Sequence, residues 1–150
     1  MGILKSAVSA ISRTLIVLLI SSCASPKPSP AALSEGFAVT PAGSDMYRVN
    51  YRGDPSVPNT RILDFALATA SNVAAERSFR YFAVIDEQKS RPGEIHYVEE
   101  AFPLGKVNPK ELLIQCFPHR PKRVFCFRAD YTARAIADKY GLNRTSPPPS

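Results

Sequence analysis

The chain has 150 residues, of which 45% are hydrophobic and 21% charged, a balance typical of a globular protein with one domain. Its formal net charge is +6, and removal of a basic leader with Lys5 and Arg13 would lower this by two, to +4. A mild positive charge favours anionic partners such as phospholipid head groups or acidic polysaccharide. No nucleic-acid-binding motif accompanies the charge, so a nucleic-acid partner is not expected.

Residues 1–22 have the features of a secretory signal peptide. They carry two basic residues and no acid, followed by the short apolar run TLIVLLI at residues 14–20 and two serines. A membrane-spanning helix needs about 20 apolar residues, far more than this run provides. The sequence ISSC at residues 20–23 resembles the bacterial lipobox, which predicts cleavage before Cys23 and transfer of diacylglycerol to its thiol. The alternatives are a plain secretory signal with a chance cysteine, and an apolar leader helix.

Residues 23–44 are rich in proline and serine and predict an extended tether. Proline at alternate positions from 26 to 30 removes backbone donors and favours polyproline II. At ~3.1 Å per residue, the residues between Cys23 and the end of this stretch would reach roughly 65 Å. The two residues after Cys23 are Ala24 and Ser25, and neither is the aspartate that is associated with retention in the inner membrane. We therefore expect anchoring to the outer membrane, facing the periplasm.

Residues 45–141 predict a single α/β domain, and residues 142–150 a disordered tail. Alternating side chains predict a half-buried strand over residues 45–52, and apolar residues at three- and four-residue spacing predict a helix that follows it. The predicted elements are strand 45–52, a helix from Asn59 or Thr60 to about Ser78, strand 79–85, an optional strand 95–101, strands 111–117 and 123–127, and a helix 131–140 capped by Asp130 and stopped by Gly141.

The predicted order of elements is β-α-β-(β)-β-β-α. This order predicts an α+β fold, in which a twisted mixed sheet of about four to five strands carries two helices on one face. A right-handed crossover is expected if the two strands around the first helix are parallel neighbours.

Four short motifs of the domain carry a resemblance to a known family. They are Y-x-V-x-Y-x-G at residues 47–53, S-F-x-Y-F at 78–82 after an alanine-rich helix, Cys116-Phe117, and K-Y-G at 139–141. Together with the lipobox they resemble a family of small uncharacterised bacterial lipoproteins, from about Gly36 to Gly141. The resemblance implies an exported, lipid-anchored protein with an α/β domain, and it brings no established activity. Members of the family more often have glycine at the position of Ser78.

Cys116 and Cys126 remain if Cys23 is lipidated. An even pair of cysteines in an exported domain favours a disulfide. An antiparallel hairpin centred on Pro121 would place the two side chains opposite each other, within bridging range at a suitable pair of positions. The alternative is a pair of buried thiols that pack as small hydrophobic side chains.

A catalytic or metal-binding site is weakly indicated. Cys116-x-x-His119 with Cys126 and His96 lacks a second ligand pair at zinc spacing, and a Cys116–His119 nucleophile pair lacks an orienting third group. Asp86 ends the predicted central strand, where α/β sheets often place functional groups, although a solvated acid is the simpler interpretation. Because no phosphate-binding or dinucleotide-binding glycine motif is present, no cofactor is expected, and because a second ligand pair at zinc spacing is lacking, no metal is expected.

Basic side chains concentrate around one turn, at Arg120, Lys122, Arg123 and Arg128. The simpler interpretation is a solvated hairpin tip, and the functional one is a contact site for phospholipid or another anionic envelope component.

The sequence therefore predicts a membrane-anchored envelope lipoprotein that acts as a non-catalytic binding or structural module. The alternative is an envelope enzyme or metal-binding protein that uses Cys116, His119 and Asp86.

Overall fold

The computed structural model describes residues 33–99 and 107–143. The predicted signal peptide and Cys23 lie outside these residues, as does the end of the chain from residue 144. No described helix is long and apolar enough to cross a membrane. In chain order the elements are β1 (Phe37–Gly43), β2 (Met46–Tyr51), α1 (Asn59–Glu76), β3 (Tyr81–Val84), β4 (Glu111–Phe117), β5 (Phe127–Arg128) and α2 (Ala129–Lys139).

The five strands form one sheet in the order β1-β2-β4-β3-β5, and each neighbouring pair is antiparallel. The predicted α+β class, with about five strands and two helices, is confirmed. The sheet is antiparallel rather than mixed, because β4 lies between β2 and β3. These two strands flank α1 and run parallel to each other, but they are not neighbours. The unit β2-α1-β3 is thus a split β-α-β arrangement.

The domain begins earlier than the sequence predicts. Phe37–Gly43, placed in the tether above, forms the edge strand β1 and pairs with β2 along its length. The rings of Phe37 and Tyr51 lie 5.0 Å apart, and Phe37 and Val39 pack against the core. Pro41 obscured this strand in the sequence, yet an edge strand accommodates a proline that a central strand would not. The boundary predicted at residue 45 is therefore wrong, and the described part of the domain starts at Leu33.

One face of the sheet, here called the helix face, is covered by both helices. Side chains alternate along each strand, so the register aligns apolar residues from all five strands on this face. Alanines of α1 allow the helix backbone to approach the sheet closely. The core residues on the helix face of the sheet are Val49, Phe82, Val84, Leu112, Ile114 and Cys116, and α1 contributes Leu63, Ala66, Leu67, Ala70, Val73 and Ala74.

The opposite face, here called the loop face, is partly covered by the segment from Asp86 to Glu99. The Tyr97 hydroxyl donates a hydrogen bond to the side-chain carbonyl of Gln115. Arg48 donates to both Glu87 and Glu111, at 2.7–2.9 Å. The optional strand predicted at residues 95–101 is reduced, within the described residues, to one bridge between Ile85 and Tyr97.

The two helices end in the same way with different residues. Ser78, with φ of 64°, follows α1, and the amide of Phe79 donates to the carbonyl of Ala74. Gly141, with φ of 69°, follows α2, and the amide of Leu142 donates to the carbonyl of Ala137. Both ends are Schellman motifs, in which glycine is the usual residue. Leu142 packs against the core, so it belongs to the domain and not to the disordered tail predicted from residue 142.

The predicted helix caps are wrong. α1 begins at Asn59 with Pro58 at its N-cap position, and α2 begins at Ala129 with Arg128 at that position. Neither helix has a side-chain cap bond. Asp130 lies inside the first turn of α2 and binds Arg128 instead. At the other end of α2, Tyr140 donates to Asp64, which ties the two helices together.

Candidate functional site

The two cysteines of the domain are free thiols and do not face each other. Cys116 lies opposite Phe82 on one side of β3, and Phe82 lies opposite Phe127 on the other side. Cys126 directly precedes Phe127, so two strand spacings, about 10 Å, separate the two cysteines. A disulfide needs Cα atoms within roughly 7 Å. The predicted disulfide is therefore wrong, because β3 lies between β4 and β5, the two strands that were expected to form a hairpin.

Cys116, His119 and Asp86 do not form one site. Cys116 is 2% exposed and points into the core, and burial raises the pKa of its thiol to about 12. His119 is exposed, two residues beyond the end of β4. Asp86 lies four residues after Phe82, which faces Cys116, so about 13 Å of strand separates their positions.

Asp86 has a structural role in the turn after β3. Its side-chain oxygen accepts hydrogen bonds from the amides of Gln88 and Lys89, and its amide donates to the carbonyl of His96. Such side chain-to-backbone bonds define an Asx turn. His96 in turn approaches Glu94, with 3.1 Å between the two side chains. Across residues 33–99 and 107–143, no three His, Cys, Asp or Glu side chains are grouped to hold a metal.

The basic residues singled out from the sequence are exposed, as expected of a contact surface. Arg120, Lys122 and Arg123 lie in the loop that leaves β4, and Arg128 ends β5. Arg128 makes two hydrogen bonds to Asp130, at 2.6 and 3.0 Å, and these lower the pKa of Asp130 to about 2. Arg128 is thus already paired, whereas the loop residues form no ion pair with a described carboxylate.

A cleft of about 500 Å³ lies beside Arg128, where α1 ends and α2 begins. Arg80 and Arg128 line it, together with Phe79, Tyr81 and the first residues of α2. The amide of Ala129 donates to the carbonyl of Arg80, which joins the start of α2 to the start of β3. Asp130 also lines the cleft and is already bound to Arg128, so Arg80 is the basic side chain of the lining that is left for electrostatic contact with an anion.

Arg80, which lines the cleft, was not among the basic residues predicted from the sequence. It lies about 40 residues before Arg120, and no local pattern connects the two. The pairing of Tyr81 with both Phe117 and Arg128 brings the two segments to one end of the sheet. The available signal was a basic residue at the second position of the predicted strand 79–85, directly before its continuous apolar stretch.

The chain matches no protein-family model, no curated protein and no solved structure.

Proposed function

We propose that the chain is an exported lipoprotein of the bacterial envelope, anchored by diacylglycerol on Cys23. The observation that carries the proposal is the ISSC sequence at residues 20–23, directly after the apolar run. In this proposal the lipid holds the domain on the outer membrane, facing the periplasm. Membership of the small lipoprotein family named above remains a prediction from the motifs.

The start of the domain limits how far it extends from such an anchor. Leu33 is ten residues after Cys23, and an extended chain of this length spans at most about 35 Å. This is roughly half the reach that a tether up to residue 44 would allow. The domain would therefore remain close to the lipid head groups.

A binding or structural role is the second part of the proposal. Its support is the separation of Cys116, His119 and Asp86, which removes the specific site on which the catalytic alternative was based. The exposed arginines and lysine around β5 instead provide a surface for an anionic partner. Such a surface needs no cofactor and no activated nucleophile.

The anchor is tested by the substitution Cys23→Ser in the native host, with Cys126→Ser as the matched control. Labelled palmitate should be incorporated into the wild type and the control but not into Cys23→Ser, which should also remain uncleaved before residue 23. Label on Cys23→Ser would reject the anchor.

The catalytic alternative is tested by alkylation of the folded protein at pH 8. Cys126 is partly exposed and should react, whereas Cys116 should react only after denaturation, because its thiol is buried and mostly protonated. Rapid alkylation of Cys116 in the folded protein would restore it as a candidate nucleophile or ligand.

A further inference from the structure

A second cleft, with a volume of about 540 Å³, lies where α1 begins, beside the start of β1 and the loop after β2. We call it the α1 cleft. Its aromatic residues are Tyr51 and Phe65, and its charged residues are Glu35, Asp54 and Arg61. Pockets that bind small molecules have volumes of roughly 300–1,000 Å³ and combine apolar walls with a few polar groups. The α1 cleft therefore has the size and the composition of a ligand site.

The ring of Tyr51 is held in place from several sides. It packs against Phe37, and it lies so close to Gly53 that a β-carbon at residue 53 would be 2.5–2.7 Å from its ring and hydroxyl. The hydroxyl donates a hydrogen bond to the carbonyl of Asp54, at 3.1 Å. Because glycine at residue 53 leaves room for the ring, this wall is already formed in the free protein, and a ligand would not have to order it.

Arg61 is oriented by two aromatic rings. Its guanidinium carbon lies 5.2 Å from the ring centre of Phe65 and 5.4 Å from that of Tyr140. No carboxylate of the described residues lies within 4.0 Å of it, and the neighbouring Asp64 is bound by Lys139 and Tyr140 instead. A guanidinium that stacks on a ring keeps the N–H groups in its plane free, and these bind a carboxylate through two parallel hydrogen bonds. Arg61 is therefore available to an anionic group.

Two carboxylates of the α1 cleft have no basic partner. The side chain of Glu35 is exposed and makes no ion pair or hydrogen bond with the described residues. Asp54 is held by Ser56, whose amide donates to its carboxylate at 2.8 Å. Neither carboxylate lies within 4.0 Å of a basic side chain of the described part of the chain, Arg61 included. The cleft therefore presents charges of both signs that do not neutralise each other by direct contact.

A ligand that carries both charges would satisfy the two kinds of group at once. A cation alone would leave Arg61 without a partner, and an anion alone would be repelled by Glu35 and Asp54. The volume of the cleft has room for more than one amino-acid residue. The aromatic walls suit an apolar or aromatic side chain, which would be buried between them.

We propose that the α1 cleft binds a short peptide with free termini and an apolar side chain. The carboxylate of the peptide pairs with Arg61, and its ammonium group lies beside Glu35 and Asp54. Its side chain packs against Tyr51 and Phe65. This site adds a ligand to the proposed binding role, and it does not depend on the lipid anchor, because all of its residues belong to the described domain.

The probe is the tripeptide Ala-Phe-Ala with free termini, and its affinity for the full chain in detergent is measured by isothermal titration calorimetry. Two blocked peptides are compared with it: the N-acetylated form lacks the ammonium charge, and the C-terminal amide lacks the carboxylate charge. Each block should weaken binding by about ten-fold, the effect expected when one hydrogen bond to a charged group is lost. Ala-Gly-Ala should also bind more weakly, because it has no ring to bury.

Substitutions in the cleft identify the residue that recognises each terminus. In Arg61→Gln the free and the amidated peptide should bind equally. In Glu35→Gln acetylation should weaken binding less than in the wild type, with Asp54 retaining part of the attraction. The matched controls Arg52→Gln and Glu76→Gln remove exposed charges outside the cleft and should behave like the wild type. Arg61→Lys keeps the charge without the planar guanidinium and should retain part of the preference for a free carboxylate.

Several outcomes would overturn the proposal. They are equal binding of the free and blocked peptides, no binding of any of them, and a preference for either blocked form, which would indicate a site for a cation alone or an anion alone. Equal effects of Arg52→Gln and Arg61→Gln would place the contact outside the cleft. Circular dichroism compares the folding of the variants, and the three peptides test the wild type without any substitution. Because none of these results affects palmitate incorporation at Cys23, failure of this site is distinguishable from failure of the anchor.

Discussion

The two faces of the sheet are stabilised by different interactions. The helix face buries side chains from β2, β3 and β4 under two helices, and Phe82, Leu112 and Ile114 are fully inaccessible there. The loop face is partly covered by an irregular segment, and its contacts include a tyrosine–glutamine hydrogen bond and an arginine shared by two glutamates.

This difference implies an unequal division of the folding energy. Burial of an aliphatic or aromatic side chain contributes about 1.5–3 kcal/mol. A hydrogen bond contributes about 0.5–1.5 kcal/mol net, and an exposed ion pair less than about 1 kcal/mol. The helix face should therefore dominate stability, whereas the loop face should tolerate substitution. The following predictions test this division, beginning with the largest effect.

Removal of β1 should have the largest effect, because it uncovers one side of the helix face. A chain starting at Asp45 loses Leu33, Phe37 and Val39 from the core and leaves β2 as an open edge. Its free energy of unfolding should fall by roughly 4 kcal/mol or more. Urea denaturation measures the loss, with residues 30–150 as the control that should unfold like the full chain. Equal stability of the two truncated chains would show that β1 is dispensable.

Two adjacent leucines of β4 allow the contributions of the two faces to stability to be compared directly. Leu112 is 0% exposed on the helix face, and Leu113 is 9% exposed on the loop face. Leu112→Ala should lower the free energy of unfolding by about 3–5 kcal/mol, and Leu113→Ala by about 2–3 kcal/mol, because fewer atoms surround the second cavity. Denaturant titration of both variants gives the difference. A larger loss at Leu113 would reverse the assignment of the two faces.

Tyr97→Phe should destabilise the loop face by about 1 kcal/mol, because it removes the hydrogen bond to Gln115. Tyr131→Phe, at an exposed tyrosine, is the control and should have little effect. Burial raises the pKa of Tyr97 above its ordinary value of 10.0. The stabilisation is therefore present below pH 10 and lost as the pH rises through the pKa of the folded state. Stability curves of wild type and Tyr97→Phe that remain parallel to pH 11 would contradict this.

The smallest effect concerns the end of α1, the helix that covers the core. Ser78 has φ of 64°, a conformation that glycine adopts without steric cost. Ser78→Gly should raise the free energy of unfolding by about 0.5–1 kcal/mol, and the reciprocal Gly141→Ser should lower it by a similar amount. Thermal melts of both variants measure the pair. A loss of stability in Ser78→Gly would indicate that the serine side chain contributes more than its backbone strain costs.

Much of the fold follows from local patterns. The strand predicted at residues 111–117 is observed with the same bounds, because its apolar run is flanked by prolines and polar residues. The helix predicted from residue 59 or 60 and the aromatic strand after it are also confirmed. β1 was missed, since an edge strand shows one face to solvent and tolerates Pro41.

The candidate site was less predictable than the fold. The exposure of Arg120 and Lys122 was expected from their turn, but the approach of Arg80 to Arg128 depends on the pairing of β3 with β5. The predicted disulfide was wrong for the same reason. Two strands that are consecutive in the sequence were expected to pair, whereas β3, from an earlier part of the chain, lies between them.

Local sequence patterns account for the positions of most helices and strands, because residue periodicity and helix-ending residues act over a few neighbours. Contacts between distant segments were needed to establish the strand order, the separation of Cys116 from Cys126, and the approach of Arg80 to Arg128. Strand order depends on which apolar faces can be buried together under the two helices. That is a property of contacts between distant segments, and no local pattern contains it.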